Sequence, residues 1–162
     1  MLGLLPAPLH RRLYKIAYRV RHRFRRVVRL PIFGVNAIIR DQEERVLLVR
    51  HSYGPAACTL PGGGHSQRED PANAARREVR EELSIEIENL ELLATLKETL
   101  SGAPHTSSLF AGYAVGEPRP DGREIIAAEF FAREDLPVLL QRRIEVRLDL
   151  WYALLDRKNN TG

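Results

Sequence analysis

Apolar residues recur along this chain in more than one rhythm, and each rhythm predicts a different element. Leu13, Ile16, Ala17, Val20, Phe24, Val27 and Val28 fall at offsets 0, 3, 4, 7, 11, 14 and 15, the stripe of a helix with 3.6 residues per turn. Arginines fill its other faces, and Pro31 and Gly34 close it. Val35 to Arg40 and Arg45 to His51 are short runs rich in Val, Ile and Leu. Asp41-Gln42-Glu43-Glu44 separates them, so they read as an antiparallel strand pair. A loop then leads through Leu60-Pro61-Gly62-Gly63-Gly64. Asp70-Pro71 predicts a helix start, because Asp caps free backbone N–H groups and proline at the first position gives up a bond that is missing anyway. That helix should run to about Ser84. Ile85–Ile87, Leu90–Thr99, Ser107–Val115 and Ile125–Phe131 read as strands, with a polar hairpin around Ser101–Thr106 and turn chemistry over Glu117–Gly122. Leu136 to Leu155, around and after Pro137, predicts a final helix.

With no internal repeat and no flexible linker, these elements interleave around one core. They predict an α/β or α+β class with a mixed sheet, divided into a basic helical arm (residues 1–32) and a single domain (residues 33–162). Composition agrees: 162 residues with 44% hydrophobic and 28% charged are enough for one closed core. No apolar run approaches the ~18–20 residues of a membrane span. The apolar start, Met1 to Leu9, is broken by Pro6 and Pro8 and followed by bases, unlike a secretory signal. Cys58 is the one cysteine, so no internal disulfide can form and a cytoplasmic location is expected.

Charge changes the picture. Residues 1–40 hold ten Lys or Arg and no acid, and residues 41–162 hold fifteen bases and all twenty-one acids. The net +4 thus divides into +10 and −6, a basic arm on an acidic body. Four roles fit the arm. Its stripe can pack on the body or on a second copy in a homodimer; its arginines can bind RNA or another polyanion; it can lie on an anionic membrane surface; or it can steer acidic substrates.

The candidate chemistry lies between Gly63 and Ile85. Glu78 stands three residues before Glu81 and four before Glu82, so on a helix the three carboxylates share a face. Their repulsion weakens a bare helix, and a hard divalent cation such as Mg²⁺ or Mn²⁺ would reverse the sign. A glutamate-rich helix is more often a plain solvated face, with Arg76, Arg77 and Arg80 as its ion-pair partners. The joint spacing is what separates the two readings. Gly63, Glu69, Arg77, Glu78, Val79, Glu81, Glu82 and Ile85 fill eight of the nine fixed positions in the series Gly, five residues, Glu, seven residues, Arg-Glu-apolar-any-Glu-Glu-any-Gly-apolar.

That series is the Nudix box, and the chain resembles the Nudix hydrolases. It departs from the pattern at Ser84, which replaces the usual glycine, and at Cys58, where an aromatic residue is frequent. The resemblance implies an α/β/α sandwich with a mixed sheet over roughly residues 33–158. It implies that Glu78, Glu81 and Glu82 hold Mg²⁺, with Mn²⁺ a possible substitute, and that Arg77 orients a helix carboxylate. Gly63 and Gly64 would admit a phosphate-bearing substrate, and Glu69 would tie loop to helix or bind a further metal. A nucleotide-type substrate would lose a phosphoric anhydride bond to water, with Glu81 and Arg77 assisting and a loop glutamate as base. Glu124 is the first candidate for that base and Glu129 the second, and a solvated carboxylate is the plain reading of each. The alternative from another class is a non-catalytic Nudix-fold protein that binds a nucleotide or polyanion.

Other residues add less. Arg50-His51, with Tyr53, could contact a phosphate or base, or form a surface pair at a strand end; Arg50 is the candidate substrate contact. His65 reads as an exposed loop histidine, and His105 has no partner visible in the sequence. Trp151 reads as a core or dimer contact. No Cys/His set suits zinc, and no Gly-x-Ser-x-Gly elbow occurs. The downstream proline that resembles ADP-ribose hydrolases would fall at Ser101, three residues before Pro104. ADP-ribose, a nucleotide sugar and a nucleoside triphosphate therefore all stay open as substrates.

Overall fold

A computed structural model describes residues 31–100 and 102–160. The predicted helix of the basic arm lies outside the described residues. Six strands, two helices and a short 3₁₀ turn follow in the order β1 (Ile32–Arg40), β2 (Val46–His51), β3 (Gly64–His65), α1 (Pro71–Leu83), β4 (Glu86–Leu100), β5 (Ala103–Val115), β6 (Ile125–Phe131), the turn Arg133–Asp135 and α2 (Arg142–Asn160).

The sheet runs β4-β5-β1-β2-β6, with β3 on β1 beside that path. β1 and β5 are parallel over nine paired residues, from Ile32 with His105 to Arg40 with Tyr113, and the other pairings are antiparallel. Central strands buried on both faces read as nearly continuous apolar runs, and their alternation shows only in where each side chain goes. Ala37, Ile39, Leu47 and Val49 meet Val79 and Leu83 of α1 on one face. Ile38, Val46 and Leu48 meet Ile144, Leu148 and Trp151 of α2 on the other. Each fully buried Leu or Ile contributes about 1.5–3 kcal/mol, so two cores hold the helices to opposite sides of one sheet. The fold is the expected α/β/α sandwich. Arg147, only 2% exposed, donates under α2 to Glu98 Oε2 (2.8 Å) and Ser107 Oγ (3.2 Å). Among the described residues, no helix is long and apolar enough to cross a membrane.

Three elements differ from the sequence reading. The last helix begins at Arg142 rather than Leu136 and continues to Asn160. Pro137 holds Leu136 extended, with ψ 136°. Residues 139–141 then spend their backbone groups on Cys58: its N–H donates to Leu139 O (2.8 Å), and its carbonyl accepts from Gln141 (3.2 Å). The two strands separated after Ile87 are one strand, β4. Asn89, at φ 51°, makes an irregularity in its pairing with β5 without ending it. Most of the polar hairpin region is strand, because β5 already starts at Ala103.

Helix α1 has the predicted ends. Asp70 Oδ1 accepts from the Asn73 N–H at 3.0 Å. Ser84 leaves the helix in the left-handed region, φ 57°, ψ 31°, the position where the related pattern has glycine. A side chain there costs about 1–2 kcal/mol, and glycine's greater freedom in the unfolded chain returns part of that. Ser84→Gly should therefore stabilise the protein by about 0.5–1 kcal/mol, raising the thermal midpoint by ~1–4 °C. An unchanged midpoint would show that the serine side chain offsets the strain.

Candidate active site

The site begins where the glycine-rich loop folds back along β1. Gly64 pairs with Gly34 and His65 with Phe33; the Val35 and Ala37 N–H groups donate to Gly63 O and Pro61 O, both at 2.9 Å. The loop thus occupies the edge of β1 that β2 would otherwise continue along, and the registered β1–β2 partners are Arg40 and Val46 at the hairpin end. Two glycines make this fit possible. Gly62 has φ +146°, and a Cβ there would stand 2.1 Å from Val35 O. A Cβ on Gly63 would stand 2.4 Å from the Glu78 carboxylate. The helix carboxylate is pressed against bare backbone.

Arg77 organises the outer half of the site. Its Nε and one terminal nitrogen donate to the two Glu69 oxygens (2.9 and 3.2 Å), tying loop to helix. Another nitrogen donates to Glu78 Oε1 at 2.9 Å and reaches Glu81 Oε2 at 3.5 Å. The Glu69 hydrogen bonds hold the guanidinium firmly charged, and Arg77 in turn lowers the Glu69 carboxyl below its ordinary value. Glu81 is the outlying carboxylate, its side chain 63% exposed.

The inner half centres on Glu82, which is only 5% exposed. Its Oε2 accepts a long bond, 3.4 Å, from the Gly62 N–H. Glu124 is brought to it by the loop before β6. The Arg119 and Asp121 N–H groups cap the last carbonyls of α1, on Leu83 (2.7 Å) and Glu82 (3.0 Å). Asp121 then accepts from the N–H groups of Arg123, Glu124 and Ile125. Ser52 fastens the same segment to the end of β2, donating from N to Glu124 O (2.8 Å) and from Oγ to Arg123 O (2.7 Å). Tyr53 donates its hydroxyl to Glu124 Oε1.

Electrostatics sets the inner carboxylates against one another. Burial pushes the Glu82 carboxyl well above its ordinary value, and the Glu124 and Glu78 charges push it further. Burial also raises Glu78, opposed by Arg77. One divalent cation would remove this conflict, so the donor set fits a hard metal ion.

Glu69, Arg77, Glu78, Gly63 and Gly64 come together as the sequence suggests, with Glu82 and Glu124 beside them. Arg50 and Glu129 do not join them. Strand alternation turns both to the face of Leu48, where Arg50, Cys58, Glu129 and Phe131 line a separate cavity of about 220 Å³. His51 takes the place expected of Arg50. It lies on the α1 face with Val49, and a ring nitrogen, a Glu82 oxygen and a Glu124 oxygen lie within 4.8 Å of one another. Burial lowers its pKa, against the pull of Glu124 and Asp121. The alternation of β2 was legible in the sequence. The irregularity in its pairing with β6 at Arg50/His51 was not. His65 Nδ1 lies 2.8 Å from Ser66 O, His105 Nδ1 lies 3.4 Å from Glu98, and Trp151 is in the core.

A family model for the NUDIX domain matches residues 30–154, and the chain belongs to that family. The curated diphosphoinositol polyphosphate phosphohydrolase 2 of Rattus norvegicus is 47% identical over 45 residues, which is 28% of this chain and 25% of that protein. The chain therefore matches about a quarter of that relative's length. Among solved structures, a MutT NUDIX hydrolase from Burkholderia pseudomallei is 28% identical, covers 75% of this chain and 98% of its own, and superposes with a TM-score of 0.68. An Ap4A hydrolase from C. elegans shares the fold at a TM-score of 0.64, with 23% identity over 77% of this chain and 98% of that one.

Glu82 yields a prediction with a definite sign. The folded protein holds the Glu82 proton more tightly than the unfolded chain does. Stability is therefore lost as pH rises from the ordinary carboxyl value, near 4.5, through the raised folded value. In chelator at neutral pH, Glu82→Gln should raise the thermal midpoint by a few degrees (~2–4 °C per kcal/mol). Added Mg²⁺ should then raise the midpoint of the unsubstituted protein and leave that of the variant almost unmoved. A lower midpoint for the metal-free variant would contradict the assigned burial cost.

Proposed function

We propose that this protein is a Mg²⁺-dependent pyrophosphohydrolase that cleaves a nucleoside diphosphate linked to another group, with Mn²⁺ able to substitute. The observation that carries the reading is the packing of buried Glu82 with Glu78 and Glu124 against a glycine-lined loop. Ionised together, these carboxylates repel at a cost that a bound cation offsets, and without one Glu82 keeps its proton. Membership of the NUDIX domain family supports it.

Glu78 and Glu82 would hold the ion, with Glu81 joining from the exposed side of the helix. When bound, the metal supplies Lewis-acid polarisation of a phosphoryl oxygen and a more acidic water. Gly63 and Gly64 leave the loop without side chains where a diphosphate has to approach. Arg77 holds Glu78 and Glu69 in place and offsets part of the charge around them. Glu124 takes the proton of the attacking water at the carboxylate oxygen that Tyr53 does not occupy. Water oxygen bonds to phosphorus, the anhydride P–O bond breaks, and the leaving phosphate departs with the bond's electrons.

A phosphatase-coupled phosphate-release panel tests this, using ADP-ribose, nucleotide sugars, dinucleoside polyphosphates and nucleoside triphosphates with and without Mg²⁺. We expect metal-dependent turnover of at least one class. Glu124→Gln should lower kcat by about 10²–10⁴-fold, the usual worth of a positioned base. Silence across the panel with Mg²⁺ and Mn²⁺ would favour a non-catalytic nucleotide- or polyanion-binding protein.

A further inference from the structure

We propose that His51 is a nitrogen ligand to the ion held by Glu78 and Glu82, next to the base Glu124, and that it shifts the metal preference of this site from Mg²⁺ toward Mn²⁺. The inference rests on the metal-dependent reading above and concerns a residue outside the box.

Three observations converge on His51. One ring nitrogen and one oxygen from each of Glu82 and Glu124 lie within 4.8 Å of one another. Adjacent donors of an octahedral ion stand ~3 Å apart and opposite ones ~4.0–4.4 Å for bonds of about 2.0–2.2 Å, so His51 and Glu82 are near enough to share one ion once the donors draw in around it. Second, His51 Nδ1 is sealed from solvent without a hydrogen-bond partner. A buried polar atom in that state lacks an interaction the fold would normally provide. Third, Arg50 pairs with Ala127 and His51 with Ile125, so the extra residue, Ile126, lies on β6, and β2 keeps the alternation that carries His51 to the α1 face with Val49. The Ser52 and Tyr53 bonds to the Glu124 segment then couple the end of β2 to the loop that carries the base.

The chemistry follows from the donor atom. Mg²⁺ prefers an all-oxygen shell and keeps several waters. Imidazole is a softer donor that suits first-row transition ions, and Mn²⁺ is the member of that series that shares the preference of Mg²⁺ for carboxylate oxygen. A Glu-Glu-His set therefore favours Mn²⁺ over Mg²⁺ more than the glutamates alone would.

The test uses the full chain, stripped of metal and loaded with Mn²⁺, and reads pulsed electron paramagnetic resonance. We expect nitrogen modulation from one imidazole, altered when histidine is labelled with ¹⁵N. It should vanish in His51→Gln and persist in His65→Gln. In direct titrations His51→Gln should weaken Mn²⁺ binding by at least about tenfold, the lower end of what even an outer-shell partner contributes, with a smaller loss for Mg²⁺. A Mn²⁺-loaded protein without nitrogen modulation would overturn the ligand role on the unsubstituted chain alone, whatever the variant's folding. Equal losses for the two ions would overturn the preference. If the unsubstituted protein takes up no Mn²⁺ and Glu82→Gln changes nothing, the metal-dependent reading itself fails.

Discussion

A strip of bare backbone lies between the edge of β1 and the carboxylate face of α1, and the rest of the site takes its spacing from it. At Gly62 a single methyl would collide with Val35 O, and at Gly63 with the Glu78 carboxylate. Because the strip hydrogen-bonds to Val35 and Ala37, it takes the edge of β1 that β2 would have used. β2 is thereby left to pair with β6 and to carry His51, Ser52 and Tyr53 toward the helix. The same contact fixes how closely α1 approaches the sheet, and with it how deeply Glu82 is buried. Packing energy from two apolar cores holds the helices in place. The glycines decide the distance.

Within that frame the acids divide into two groups with different electrostatics. Arg77 binds the outer group, Glu69 and Glu78, and touches Glu81 at longer range. The inner group, Glu82 with Glu124, forms no ion pair with an arginine among the described residues. The loop that caps the C-terminal end of α1 brings Glu124 there. Satisfying free helix carbonyls and assembling like charges are thus one structural event. Natural folds carry such local conflicts where a ligand resolves them. On the other face, Arg147 is buried with Glu98 and Arg40 stacks between Tyr113 and Trp151. There the charges have partners, and the arrangement reads as support for α2.

Much of this was already legible in the chain. Asp70-Pro71 marks the start of α1, the apolar runs mark the central strands, and the spacing from Gly63 to Ile85 places the carboxylates on one helix face. These follow from local rules: caps, side-chain period and residues three or four apart along a helix. Local pattern misplaced the start of α2, because the backbone of residues 139–141 bonds to Cys58, some eighty positions earlier. It divided β4 at Asn89, because a left-handed residue that ends one strand can be absorbed as an irregularity in another.

The sequence by itself determined the mixed α/β elements, the box and the helix that bears Glu78, Glu81 and Glu82, since each depends on residues near one another along the chain, and the sandwich followed from the resemblance that the box carries. Only the tertiary structure decided which distant groups complete the site. Arg50 and His51 are neighbours with equal claims on paper, yet strand alternation sends one to each face of the sheet. Glu124 and Glu129 are both acids near β6, and the capping of α1 brings one of them to Glu82. The physical reason is that pairing register and burial are set by contacts between remote segments, and a shift of one residue moves a side chain from one face of a strand to the other.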